Sequence, residues 1–181
     1  DAAAEAGLAP IKINMVVLDG VNDDEVENMV EFCIHKGFTL RFIEPMPMGA
    51  SGQEAYRRDT DLARVRARLA RRYELIPDVM PGGGPARYYR IGDTGLLIGF
   101  ITPISQHFCD TCNRVRLTAD GTLYLCLGSE HAVDLGTPLR AGESDADLQR
   151  RIREAIHLKP ERHLFNESPS RVVRFMAQTG G

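Results

Sequence analysis

The feature that most constrains the fold is a strand–helix–strand pattern in the first quarter of the chain. Residues 11–17 alternate and are rich in β-branched side chains, which predicts a strand, and residues 39–44 predict a second strand that ends before Pro45. Between them, Asn22 and Gly37 are placed to cap the two ends of a helix. The buried stripe of that helix carries Val26, Met29, Val30 and Cys33. Two strands joined through a helix are parallel, and the crossover is almost always right-handed.

After about Met48 the sequence pattern changes and predicts shorter elements. A loop should cover residues 49–52, and helices should cover residues 61–72 and 145–157. Short strands are predicted at residues 75–79, 87–91, 95–101, 114–118 and 123–127, the last two joined by a hairpin turn at Asp120-Gly121. The fold class is therefore α/β, with a first part that belongs to a barrel or sheet and a second part that forms an irregular, β-rich lobe.

The composition restricts the kind of protein. Hydrophobic residues make up 43% of the 181 residues, which excludes a disordered chain. The net charge of −3 gives no overall positive potential that would attract duplex nucleic acid, so a polyanion could bind only where arginines are clustered. No apolar run approaches the ~18 residues of a membrane span, and the first residues are not a signal peptide. Four cysteines, three of them close together, favour metal chemistry in a reducing compartment, hence a cytoplasmic protein without a nucleic-acid or membrane partner.

The first predicted strand carries polar residues on one face. Lys12 and Asn14 alternate with apolar residues, whereas a parallel strand buried on both faces would be apolar throughout. This pattern favours a face that lines a wet cavity such as a barrel lumen; the equal alternative is an edge strand with Lys12 in solvent. Arg41 and Glu44 have opposite parity on the second strand, so at most one of them points inward unless a bulge intervenes. Residues 44–48 follow the end of that strand, where α/β folds place ligand sites.

The strongest chemical signal is a group of three cysteines. Cys109 and Cys112 are spaced so that a tight turn can bring both thiolates to one metal, and the hairpin at Asp120-Gly121 can return Cys126 to the same point. Three thiolates suit an iron–sulfur cluster with one iron left open, which can act as a Lewis acid. Tetrahedral zinc is an equal alternative, and a redox dithiol is a third. The zinc site would take a histidine as its fourth ligand, either His107 or His131.

Two arginines follow the second cysteine. Arg114 and Arg116 share one face of the predicted strand, where two guanidinium groups beside a metal form a fork for phosphate or carboxylate oxygens. The arginines from Arg57 to Arg72 are spread over a helix surface beside acidic residues, which predicts a solvated face. The glycines at 82–84 lack the lysine and hydroxyl residue of a P-loop and predict a turn. Cys33, on the apolar helix stripe, is predicted to lie in the core.

Together these residues resemble the cluster motif of the GTP 3′,8-cyclase family of molybdenum cofactor synthesis, the MoaA proteins. The motif runs Phe108-Cys109-x-x-Cys112-Asn113-Arg114-x-Arg116-Leu117-Thr118-x-Asp120-Gly121-x-Leu123-x-x-Cys126-Leu127. Further family motifs follow the same order: Lys12-x-Asn14, Gly20-Val21-Asn22-Asp23, Arg41-Phe42-Ile43-Glu44-x-Met46, Gly84-Pro85-Ala86-x-Tyr88 and Gly180-Gly181. The resemblance runs from about Pro10 to the last residue.

The resemblance implies a fold, a reaction and cofactors. Residues 1–72 would supply the last strands and helices of an incomplete (β/α)₆ radical-SAM barrel, which is TIM-like, and residues 73–181 a β-rich lobe that holds a second [4Fe–4S] cluster and GTP. The family converts GTP to 3′,8-cyclo-7,8-dihydro-GTP with a radical made from S-adenosylmethionine at a first, N-terminal cluster. The residues implied are Cys109, Cys112 and Cys126 as cluster ligands, Lys12, Arg114 and Arg116 for GTP, Met46 for S-adenosylmethionine, and Gly180 and Gly181 as a tail that reaches the active site.

One departure from the family pattern limits what we expect of these residues alone. The C-x₃-C-x₂-C motif that binds the radical-generating cluster is absent, and the sequence begins at Asp1. We therefore expect either a fragment that needs the missing N-terminal barrel half or a truncated relative, in both cases inactive alone. A homodimer is an open alternative for the assembly. The alternative functions are a zinc-stabilised binding module without catalysis and an electron-transfer iron–sulfur protein.

Overall fold

A computed structural model describes residues 1–59, 61–82 and 84–179, without the side chain of Ser170, in two compact units. The first unit comprises residues 1–45 and 57–107, and the second comprises residues 46–56 and the chain from residue 108 onward. The division predicted between residues 72 and 73 concerned the family's barrel and cluster lobe, and it stays a prediction. Gly180 and Gly181, to which the resemblance assigns a role, lie outside the described residues.

The first unit contains the longer strands, and the second contains short strands and a 13-residue helix. The helices are α1 (Ala2–Glu5), α2 (Val26–Lys36), α3 (Gly49–Arg57), α4 (Leu62–Leu69), α5 (Gly136–Arg140) and α6 (Asp145–His157). The strands are β1 (Lys12–Val16), β2 (Thr39–Ile43), β3 (Leu75–Asp78), β4 (Arg87–Ile91), β5 (Leu97–Ile101), β6 (Arg116–Leu117), β7 (Thr122–Tyr124) and β8 (Ala132–Asp134). No helix among the described residues is both long and apolar enough to cross a bilayer.

The first unit is built on a five-stranded mixed sheet in the order β1-β2-β5-β4-β3. β1, β2 and β5 are parallel, with Ile13 opposite Leu40 and Leu40 opposite Ile98, whereas β4 and β3 continue the sheet antiparallel. The predicted parallel strand–helix–strand unit is thus confirmed. The described strands form a mixed α/β arrangement, and the particular barrel of the family stays a proposal.

Gly37 ends α2 as the sequence predicts. It adopts φ 68°, a left-handed conformation that glycine tolerates, and the N–H of Phe38 then donates to the carbonyl of Cys33 at 3.0 Å. The predicted capping role of Asn22 is wrong. Its side-chain oxygen accepts from the N–H of Leu18 at 2.8 Å and its amide donates to the carbonyl of Val16 at 3.0 Å, because the group is used to close the loop after β1.

One face of the sheet is apolar and the other is polar. The apolar face packs against α2 and α4. The fully buried residues of the core between the sheet and these helices include Val30, Cys33, Leu40, Phe42, Leu69 and Ile98. Lys12 and Asn14 are exposed on the opposite face, as the alternation predicts. Arg41 joins them there, since its Nε donates to Asn14 Oδ1 at 2.8 Å. Among the described strands β1 is at the edge of the sheet, so this face is open beside Lys12.

The second unit contains a three-stranded antiparallel meander, β6-β7-β8. Its core is made by Leu123, Leu125, Leu135 and Ala155, with Val115 and Val133 packed against it. The helix predicted at residues 145–157 is confirmed at those bounds, with Ser144 as N-cap accepting from the N–H of Asp147.

The loop predicted at residues 49–52 is wrong, because these residues begin α3. The N–H of Gly49 donates to the carbonyl of Val172 at 3.2 Å, and the Phe175 ring lies so close that a Cβ at Gly49 would be 2.8 Å from it. A Cβ at Gly52 would stand 2.6 Å from the carbonyl oxygen of Met46. These glycines therefore permit close packing around a helix start, and they do not mark a flexible loop.

Candidate functional site

Cys109 and Cys112 lie on one tight turn. Residues Cys109–Thr111 form a 3₁₀ turn in which the N–H of Cys112 donates to the carbonyl of Cys109 at 3.0 Å. Because a 3₁₀ turn has about three residues, side chains three positions apart lie on the same side. Both thiols are half-buried. The tight turn predicted from the spacing of the cysteines is confirmed.

The hairpin that follows carries the third thiol. Arg116 pairs with Tyr124 and Leu117 with Leu123, and the turn predicted at Asp120-Gly121 joins the two strands. Leu123 is buried in the second core, so Tyr124 faces the opposite side of the strand. Cys126 lies two residues beyond Tyr124, just after the end of β7.

The surroundings of Cys126 act on its pKa in both directions. Burial is the largest cause and raises the pKa of Cys126, while a hydrogen bond from the N–H of Gly128 and the charge of Lys159 lower it. The charges of Cys109 and Cys112 make smaller contributions that raise it.

The donor set fits an iron–sulfur cluster by its chemistry. All four cysteines are free thiols, and the three of the second unit are partly accessible. Within the described residues, no three His, Cys, Asp or Glu side chains converge closely enough to hold a single metal ion. A cluster needs its thiolates farther apart than a single ion does, because each thiolate binds a different iron atom. His131, one of the two histidines considered as a fourth zinc ligand, is exposed.

Arg114 and Arg116 flank the cysteines and are both half-buried. Val115 between them packs against the second core. Arg116 begins β6 and Arg114 precedes that strand, so the shared face of the two arginines stays a prediction. The guanidinium of Arg114 lies 5.6 Å from the centre of the Phe108 ring. The Nε of Arg116 is buried without a hydrogen-bond partner among the described residues, and its Nη1 makes only a long contact of 3.4 Å to the carbonyl of Val115. Arg116 therefore keeps a donor that the fold does not satisfy.

In the first unit, Lys12 and Arg41 line an open cleft of about 560 Å³ on the polar face of the sheet. Residues 77–82, Gly84 and Tyr88 complete the wall. A Cβ on Gly99 would lie 2.8 Å from the Tyr88 ring and 3.2 Å from Cγ of Arg41, so this glycine lets the two side chains approach across the sheet. Arg87 also lines the cleft, which therefore offers three cations and the carboxylate of Asp78 to a ligand.

Glu44 points the other way from Arg41. Its carboxylate is 3% exposed and accepts hydrogen bonds from the N–H groups of Ile104 and Ser105 at 2.9 and 3.1 Å and from the Ser105 hydroxyl. Burial, and then the charge of Glu44, raise the pKa of Asp59. Glu44 thus fastens the segment before the cysteines to the end of β2.

Two further predictions concern single positions. Met46, the predicted contact for S-adenosylmethionine, is half-buried in the second unit, and nothing in its surroundings tests that role. The arginines from Arg57 to Arg72 are not uniformly solvated, because Arg68 of α4 pairs with Glu27 at 2.7 Å and Arg72, just beyond α4, pairs with Glu31 at 2.7 Å. Both acidic partners lie on α2, so these ion pairs join α2 to α4 and the residues that follow it.

Sequence reasoning missed three residues around Cys126. Lys159 and Arg174 bind backbone carbonyls of its turn from 34 to 48 positions away in the chain. Gly128 follows the turn, where a Cβ would lie 2.6 Å from Cβ of His163 and 2.8 Å from the Phe165 ring. No local signal identifies such partners, although the family motif ending at Leu127 stops directly before Gly128.

Comparisons with known proteins show which family the chain is similar to. A family model described as Molybdenum Cofactor Synthesis C matches residues 38–165. The GTP 3′,8-cyclase of Hydrogenovibrio crunogenus is 48% identical over 187 residues, which cover 100% of this chain and 56% of that protein. Those of Paracoccus denitrificans and Marinobacter nauticus are 48% and 46% identical, with 54% and 56% of each relative covered. The chain therefore spans just over half the length of these relatives.

Thiol labelling should separate Cys33 from the cysteines of the second unit. Burial raises the pKa of Cys33 to about 11, and its side chain is 0% exposed. At pH 8 its thiolate fraction is roughly 10⁻³, so iodoacetamide should modify Cys109 and Cys112 at least about tenfold faster in the metal-free protein. The rate at Cys33 should keep rising as the pH approaches about 11. Peptide mass spectrometry reads each site, with denatured protein as the control; rapid labelling of Cys33 in the folded chain would contradict its place in the core.

Proposed function

The chain belongs to the GTP 3′,8-cyclase family of molybdenum cofactor synthesis, and we propose that it forms the part of such an enzyme that binds GTP and a second [4Fe–4S] cluster. The observation that carries this proposal is the succession of a 3₁₀ turn with Cys109 and Cys112, a buried and unpartnered Nε of Arg116, and a hairpin that leads to Cys126. In the whole enzyme, this part would hold GTP for conversion to 3′,8-cyclo-7,8-dihydro-GTP, a lyase reaction of the radical SAM type in the cytoplasm.

Cys109, Cys112 and Cys126 would be the protein ligands of the cluster. Held by three thiolates, the cluster would supply one iron without a protein ligand, a Lewis acid for the guanine ring. The 3₁₀ turn determines the positions of the first two thiols, and the hairpin determines the position of the third. The N–H of Gly128 would stabilise the third thiolate.

Lys12, Arg114 and Arg116 would bind the triphosphate of GTP. The unsatisfied Nε of Arg116 supports this role, because a buried donor without a partner is costly unless a ligand accepts from it. Lys12 shares its cleft in the first unit with Arg41 and Arg87, whose positive charges would favour an anionic ligand there. Met46 would contact S-adenosylmethionine, and Gly180 and Gly181 would reach the active site as a tail.

The barrel would have the incomplete (β/α)₆ form of radical SAM proteins, with β1, β2 and β5 as its parallel strands. These 181 residues contain no C-x₃-C-x₂-C motif. By themselves they would therefore bind GTP without cyclising it, and the radical would come from a first cluster held by an N-terminal barrel half.

Replacement of the three cysteines tests the cluster directly. Each of Cys109→Ser, Cys112→Ser and Cys126→Ser should lose most of the iron and sulfide, since a serine hydroxyl is a poor ligand for this cluster. Cys33→Ala is the matched control and should keep the full content, because its thiol is buried in the first core. The measurement is iron and sulfide analysis after anaerobic purification. Zinc in place of iron, or a full cluster in Cys126→Ser, would contradict the proposal.

The arginine pair tests GTP binding. Arg114→Ala and Arg116→Ala should each weaken GTP binding by roughly 1.5–3 kcal/mol, the range for hydrogen bonds to charged groups. Lysine at either position should recover only part of this, because an ammonium cannot make a bidentate contact. Exposed arginines serve as controls: Arg64→Ala on α4 and Arg153→Ala on α6 should change binding little. Anaerobic titration at fixed ionic strength reads all variants, and equal losses at all four positions would mean that a diffuse field binds GTP.

A further inference from the structure

Two cationic side chains bind the backbone around Cys126. The Nζ of Lys159 donates to the carbonyls of Leu125 and Arg114 at 2.7 and 2.8 Å. The Nη2 of Arg174 donates to the carbonyls of Cys126 and Leu127 at 3.1 and 2.5 Å. Three consecutive carbonyls, at residues 125 to 127, are therefore held by positive charges.

Arg174 is an unusual residue to bury. It is 6% exposed, and its guanidinium lies 4.2 Å from the centre of the Tyr124 ring. Its Nη1 is 2.8 Å from Glu130 Oε1, which gives an ion pair without hydrogen-bond alignment, and its Nε is buried without a hydrogen-bond partner among the described residues. Burial of an incompletely paired guanidinium costs several kcal/mol by general estimates, so stability alone is a poor reason for this arrangement.

Lys159 supplies a second charge from another direction. It follows α6 by two residues and joins the segment after Cys112, through the carbonyl of Arg114, to the end of β7, through Leu125. It therefore ties together the two chain segments that carry the cysteines.

We propose that Lys159 and Arg174 form a cationic clamp that positions Cys126 and offsets the negative charge of the bound cluster. The inference rests on the proposed function, in which Cys126 is a cluster ligand. A [4Fe–4S]²⁺ core with three thiolates carries a net charge of −1, and reduction adds another negative charge. Fixed positive charges close to the cluster therefore favour the reduced form and raise its potential. Both residues act through the backbone and the local field, which makes them positioning residues.

The test uses charge-removing and charge-keeping variants of both residues in the anaerobically reconstituted protein. These are Lys159→Gln, Lys159→Arg, Arg174→Gln and Arg174→Lys. The matched control is Arg162→Gln, which removes an exposed arginine of the same unit from its ion pair with Glu167. Two quantities are measured, the rate at which a chelator removes iron and the midpoint potential of the cluster by EPR-monitored titration. Thermal unfolding of the metal-free variants reports their folding.

We expect the two glutamine variants to lose iron at least about tenfold faster than the parent, the lower end of the usual effect of residues behind metal ligands. Their midpoint potentials should become more negative, and the charge-keeping variants should restore the potential even where iron loss stays fast. Arg162→Gln should match the parent in both measurements. Unchanged potentials in both glutamine variants, or faster iron loss that only follows a lower unfolding temperature, would overturn the clamp.

Two further outcomes keep the inference separate from its premise. If Cys126→Ser keeps a full cluster, the proposed function fails whatever the clamp variants show. If Cys126→Ser loses the cluster and the glutamine variants behave as the parent, only the clamp fails. Should Arg174→Gln not fold, Arg174→Lys and Lys159→Gln decide the question, because the first keeps the charge at residue 174 and the second removes the charge at residue 159 alone.

Discussion

The turn at Asp120-Gly121 is the constraint on which the second unit depends. Gly121 has φ 92°, and a Cβ there would lie 2.4 Å from Cα of Gly136, so only glycine allows the two chain segments to touch. The carbonyl of Asp120 lies so close to Gly136 that a side chain is excluded there too. This contact holds the turn between β6 and β7 against the start of α5.

Basic side chains are grouped in each unit. In the second unit Arg114 and Arg116 follow Cys112 in the chain, Lys159 and Arg174 bind the backbone around Cys126, and the only ion-pair partner of Arg174 in the described residues is Glu130. In the first unit Lys12 and Arg41 lie on the polar face of the sheet. The net charge of the chain is −3, so these groups are local concentrations of positive charge in a chain that is negative as a whole. A phosphate-bearing ligand and an anionic cluster would both be stabilised by such groups.

The parts that the sequence predicts well depend on local signals. Gly37, the apolar stripe of α2 and the Asp120-Gly121 turn each act on neighbours within a few residues, and all three are confirmed. The cysteine spacing predicts the 3₁₀ turn for the same reason. Local reasoning fails at α3, where Gly49 was interpreted as part of a loop although its role is to let the distant Phe175 ring approach. It also misses Lys159 and Arg174, because their partners are backbone carbonyls distant in sequence, which any residue provides.

In the proposed function, three thiolates hold a cluster whose remaining iron binds the guanine ring of GTP. Pulsed electron–nuclear double resonance on the reduced, reconstituted protein probes this bond, with GTP labelled with ¹⁵N in the base. We expect a ¹⁵N hyperfine coupling to the cluster that appears with labelled GTP and is absent with the unlabelled nucleotide. An unaltered spectrum at saturating GTP would show that the base does not reach the iron and would contradict the proposed role of the cluster.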